Sequence, residues 1–368
     1  MKNYGPFKNN CSPLAGAENF YSKGIKMLKK LFLIIGLLTF QSLYADEQKL
    51  VDHKKWQPGH KSLSTENDTL GFIPIMVWYP TDQPAKTEQF GVFRMKVAAN
   101  APLSDGKFPL AIISHGSGGS ILGHRSTALY LAERGYIVAT LMHPHNNYQD
   151  NRDEATTNNW INRPKHISAV LNTILANKEF APHVDTEKIA AIGYSAGGYT
   201  ALSLLGGIPN TAHSRTHCIE NAKKDPGFCN LGKGKESRNK DMILTDLRDE
   251  RFKVGVLLAP VGVLFSDKDS LSKVAAPVLL YRAQNDRELA YPYHVELISK
   301  SLAKSSTWLK ELELEKAEHF AFITSFPDFL KKEVGPPAHD PAGFDRDLAH
   351  TKFNAEIAVF LDKALKYR

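Results

Sequence analysis

The chain has 368 residues, 42% of them hydrophobic and 23% charged, with 25 Gly and 20 Pro. Those proportions are ordinary for a globular protein and exclude collagen-like, disordered and disulfide-scaffold classes. The net charge of +7 is concentrated before Asp46, where six lysines meet one acid, so the remainder is nearly balanced and offers no basic face for nucleic acid.

Taken in chain order, Lys29 and Lys30 precede the apolar run Leu31–Phe40, and a short polar stretch leads to Leu43-Tyr44-Ala45. This is the pattern of a secretory signal peptide. Its ten apolar residues are too few to span a bilayer, which takes about 20. Met27 is a natural start, so residues 1–45 are expected to be an upstream extension and leader, with cleavage near Ala45 and export to the periplasm or beyond. An uncleaved amphipathic anchor is the competing reading. Of the three cysteines, Cys11 falls in the leader. In an oxidising compartment the other two, Cys218 and Cys229, are expected to form a disulfide.

Beyond residue 70, short β-rich apolar runs alternate with helical patterns, which predicts parallel β-α-β units. Strands are predicted at 72–79 (stopped by Pro80), 110–114, 137–142, 188–194, 253–258, 277–281 and 308–314. Helices are predicted at 126–134, from Pro164 to Leu175, at 196–205 with Gly206-Gly207 as its stop, and at 345–365. The last is expected to bury Leu348, Phe353, Ile357, Phe360 and Leu361 on one stripe. Continuously apolar strands imply a mainly parallel sheet covered on both faces, and hence one α/β domain over residues 46–368. The long charged stretch between Gly207 and Arg251, which carries the cysteine pair, reads as a lid-like insertion.

The chemistry centres on Gly193-Tyr194-Ser195-Ala196-Gly197-Gly198. A predicted strand runs into this motif and a predicted helix leaves it, the context of a nucleophile elbow. A serine nucleophile needs a base, and the base needs an orienting carboxylate. Asp286 follows one later strand and His319 the next, in the order such folds use. Rival acids are Asp267 and Asp269, then Glu288 and Glu318. The oxyanion requires two backbone N–H donors: Ala196, next to the nucleophile, and Ser117, in the Gly-rich loop Ser114-His115-Gly116-Ser117-Gly118-Gly119. His115 is expected to brace that loop, and His143 and His145 to line the pocket. No third residue stands at a spacing that would make the last two a metal site, and the mechanism calls for no cofactor.

With SHGSGG, GYSAGG, Asp286 and His319 in this order, the chain resembles an α/β-hydrolase. More narrowly, it is similar to exported bacterial serine hydrolases grouped with dienelactone hydrolases and platelet-activating-factor acetylhydrolases; the strand ending Val77-Trp78-Tyr79-Pro80-Thr81 resembles that group's opening strand. It departs from dienelactone hydrolases proper in carrying Ser195 where they have cysteine. It departs from the acetylhydrolases in having Ala259, Pro260 and Val261 where they place their acid, which returns that role to Asp286. The resemblance implies hydrolysis of small or lipid-like carboxylic esters. Two further readings compete: a phospholipase or acetylhydrolase in transient contact with a membrane surface, and a hydrolase-fold binding protein without turnover. An activated serine separates the second from the enzymes.

Overall fold

The computed structural model describes Gly5 and residues 55–366; the expected leader, residues 1–45, lies outside the described stretch apart from Gly5. Among the described residues, ten strands form one sheet. They are β1 (Gln57–Asn67), β2 (Gly71–Thr81), β3 (Lys86–Phe90), β4 (Phe93–Ala99), β5 (Phe108–Ser114), β6 (Ile137–Leu141), β7 (Val184–Tyr194), β8 (Phe252–Leu258), β9 (Val278–Ala283) and β10 (Leu309–Leu314). The order across the sheet is β10-β9-β8-β7-β5-β6-β2-β1-β4-β3. From β10 to β6 every neighbour is parallel; β2 then runs antiparallel to β6, and β1 antiparallel to β2.

Alternation along β5 shows why its run is apolar without a break. Leu110 and Ile112 enter one core and Ala111 and Ile113 the other, so both faces are buried. On the first face lie α2 (Thr157–Ala176) and α3 (Ala196–Leu204); on the second lie α1 (Arg125–Ala132) and the C-terminal helix Arg346–Leu361. The insertion contributes α4 (Ala212–Asn221) and α5 (Pro226–Leu231), joined by the Cys218–Cys229 disulfide at a Cα separation of 5.4 Å. Helix α6 (Val295–Leu302) and the short α7 (Lys331–Val334) follow, which makes the C-terminal helix α8.

Three local expectations need correction. Pro80 does not stop β2, which runs to Thr81: Pro80 sits opposite Pro58 of β1, and its carbonyl accepts the Ser104 N–H. Pro164 does not open α2, because Thr156, eight residues before it, caps the helix by accepting the Asn159 N–H. A proline inside a helix leaves the carbonyl four residues back without its donor. Here that carbonyl, on Trp160, accepts the Tyr199 hydroxyl from α3 at 3.0 Å, so α2 continues unbroken. Leu348 is 52% exposed. Five residues before Phe353, it lies well off the buried face of α8.

Candidate active site

β7 ends at Tyr194 and α3 begins at Ala196, leaving Ser195 alone in the turn at φ +55° and ψ −116°. A non-glycine residue there is strained, and the surroundings hold it in place. The Ser195 N–H donates to the Leu258 carbonyl at 2.9 Å, and the Ser195 carbonyl accepts from Gly198 and Val261. The flanking glycines are obligatory. A Cβ at Gly193 would lie 1.9 Å from the Gly197 carbonyl oxygen, and one at Gly197 would lie 1.9 Å from that of Ser114.

Asp286 follows β9, and His319 opens a 3₁₀ turn after β10. His319 Nδ1–H donates to Asp286 Oδ2 at 2.7 Å. The other carboxylate oxygen accepts the N–H groups of Glu288 and Leu289 at 3.0 and 2.8 Å, which fixes its orientation. With Nδ1 donating, the neutral ring carries its lone pair on Nε2. The ring packs on Tyr194 at a centroid separation of 5.0 Å, which places it beside the residue preceding Ser195. Of the rival acids, Asp267 accepts from His213 and Asn210 of the insertion, and Glu318 lies 3.9 Å from Arg287.

The Gly-rich loop lies against the elbow, since a Cβ at Gly116 would come within 3.2 Å of Ser195 Cβ. Among the described residues, no acceptor engages the N–H of Ser117 or of Ala196. His115 does brace the loop. Its Nε2 accepts the His143 N–H at 3.2 Å and its Nδ1–H donates to the Gly116 carbonyl at 2.7 Å.

His143 is fully buried; it bonds to Ser114 Oγ at 2.8 Å and to His166 Nδ1 at 3.1 Å. His145, by contrast, lines a polar cleft with Pro144, Asn159 and His166. Burial, reinforced by the charge of Arg163, holds His115 and His143 well below the usual histidine pKa and His166 at about 3, so all three rings are neutral at pH 7.

Arg163 itself escaped the sequence reading. It stands four residues before Ile167, and His166 four before Val170, so both occupy the buried face of α2. A cation on an apolar stripe was the available signal. Among the described residues, no group of three or more His, Cys, Asp or Glu side chains is placed to hold a metal ion, and no helix is long and apolar enough to cross a membrane.

Residues 43–162 match the family described as platelet-activating factor acetylhydrolase, isoform II. That segment carries β1 to β6 and the loop bearing Ser117, and ends before Ser195. Among 592 matching solved chains, a ferulic acid esterase from Streptomyces cinnamoneus has a TM-score of 0.59 at 18% identity, covering 86% of this chain and 91% of that chain. No curated protein matches. The shared architecture establishes the α/β-hydrolase fold, and within it residues 43–162 are similar to the platelet-activating factor acetylhydrolase family.

Proposed function

We propose that this hydrolase cleaves small or lipid-like carboxylic esters through an acyl-enzyme on Ser195. The observation that carries the reading is the 2.7 Å hydrogen bond from His319 to Asp286, with the imidazole packed against the residue next to the elbow serine. Ser195 Oγ attacks the carbonyl carbon while His319 Nε2 takes the hydroxyl proton, and Asp286 holds the ring in the tautomer that can accept it. Negative charge collects on the former carbonyl oxygen, where the N–H groups of Ser117 and Ala196 and the N-terminus of α3 receive it. Collapse expels the alcohol with the proton from His319. Water then attacks the acyl-serine by the same route, releasing the acid and restoring the hydroxyl.

The Lys29–Ala45 leader and the Cys218–Cys229 bridge both favour an exported enzyme, and the insertion is read as its lid. A second reading, action on phospholipid at a membrane surface, is favoured by one feature of that insertion. Ile219 and Ile243 are 74% and 61% exposed there, with Met242 also in solvent.

A graded panel of p-nitrophenyl esters and a short-chain phospholipid, run with wild type and Ser195→Ala, tests both readings. Turnover of the esters is expected to fall by at least about 10³-fold in the variant, with the fold intact. Undiminished turnover would remove Ser195 from the chemistry. A jump in rate when the phospholipid aggregates selects the membrane-surface reading; an unchanged rate selects the soluble-ester reading.

A further inference from the structure

Arg163 is completely buried, and a guanidinium stays charged at any ordinary pH. Buried charges are normally paired with an opposite charge, because desolvating a lone ion is costly. Among the described residues, Arg163 has no such partner. Its Nε donates to Thr200 Oγ1 at 3.2 Å, its Nη1 to Asn146 Oδ1, and its Nη2 to the His115 carbonyl and to Ser114 Oγ at 3.4 Å. Every one of these acceptors is neutral. The carboxylates of the neighbouring loop are committed elsewhere, Asp150 to His145 and Arg152, and Asp153 to Arg238. Burial lowers the Arg163 pKa to about 9, which still leaves it protonated at neutral pH.

The neutral partners have a common location. Ser114 and His115 lead directly into the loop that carries Ser117. Thr200 lies in α3, and its hydroxyl, while accepting from Arg163, donates to the Ala196 carbonyl at 2.9 Å. One guanidinium therefore holds both segments from which the oxyanion donors come.

We propose that Arg163 is a positioning residue for the oxyanion site, fixing the Ser117 and Ala196 segments, and that the counter-ion it lacks at rest is the negative charge formed on the ester oxygen during acyl transfer. This rests on the acyl-enzyme reading above. An attraction that exists only once the oxyanion has formed raises kcat and leaves KM nearly alone. It also strengthens the binding of any inhibitor that carries that oxyanion.

The full chain with Arg163→Met and Arg163→Lys tests this, using an ester substrate and a trifluoromethyl ketone that adds to a serine as a tetrahedral oxyanion. Arg163→Met is expected to lose roughly 30- to 100-fold in kcat, with KM within about threefold, and the ketone affinity should fall in parallel. Arg163→Lys, which keeps the charge, is expected to recover most of the loss. Should the Met variant not fold, Thr200→Val carries the test by cutting the link to Ala196: roughly a fivefold loss of kcat and of ketone affinity at constant KM is expected.

Equal losses in the Met and Lys variants with ketone affinity unchanged, a Thr200→Val variant with wild-type values, or wild-type kcat in Arg163→Met would each overturn the proposal. Failure of the underlying reading is distinct. In that case a fluorophosphonate would not label Ser195 even in the wild-type chain.

Discussion

Asp286 is the most fully specified side chain of the site. It accepts two backbone N–H groups on one oxygen and the His319 ring on the other, an arrangement only an acceptor-only carboxylate satisfies. Asp286→Asn introduces a donor of nearly the same shape, and the amide favours the opposite ring tautomer. A loss in kcat on the order of 10³–10⁴ is expected, with KM little changed, measured on a p-nitrophenyl ester. A loss below tenfold would assign the orienting role elsewhere. That Ser195, Asp286 and His319 follow β7, β9 and β10 was legible in the sequence, because each stands within about five residues of a strand's end, where chain order alone brings residues to one sheet edge. Arg163 and His166 were not. Their meaning depends on what α2 packs against, and neighbours in the chain do not contain that information.

Among elements, the insertion repays the closest attention. Asp225, at the start of α5, is fully buried and accepts from His217 in α4, from His294 just before α6, and from the Ala290 N–H. Burial alone would raise its pKa, but the two histidine hydrogen bonds outweigh that and hold it below the ordinary carboxylate value. Gly227 packs so closely that a Cβ would lie 2.4 Å from Glu288 Cα, so the insertion rests on the segment that leaves Asp286. Asp225→Asn confronts two N–H donors with an amide that can satisfy only part of the set. It is expected to cost about 3 kcal/mol, read as a lower urea midpoint, together with faster hydrogen exchange in both the insertion and the 286–290 segment. Exchange confined to the insertion would show that the two are not coupled.

The same scale shows where pattern reading stops. The inner strands β5 to β9 declared themselves as continuous apolar runs. β3, Lys86-Thr87-Glu88-Gln89-Phe90, is a polar edge strand with nothing in its composition to distinguish it from a loop. The true start of α2 was hidden because Pro164 masks a helix whose broken hydrogen bond is repaired by a residue 35 positions later.

Across the whole molecule, the histidines buried in neutral form set the response to acid. Burial lowers His124 and His350 to about 4 and His166 to about 3, and moves His115 and His143 in the same direction. Unfolded, each would titrate near 6.5, so below that pH the unfolded chain binds more protons than the folded one. Their contribution is therefore fully present above pH 6.5 and is lost as pH falls toward 4, at about 1.4 kcal/mol per pH unit for each ring. Asp225, whose pKa is depressed, begins to add to this loss only below about pH 4. Urea midpoints measured between pH 7 and 4.5 are expected to fall steeply, with a slope equivalent to several protons taken up on unfolding. A flat profile would mean that these rings are not buried as neutral groups.

The most direct measurement of the central claim is a covalent one. The enzyme is mixed with a slowly deacylating ester, quenched in acid within the first turnover, and weighed intact and as peptides. The prediction is one acyl group per chain, carried on the peptide containing Ser195 and formed at least as fast as steady turnover. Turnover with no covalent species, or an acyl group on any other residue, would contradict it.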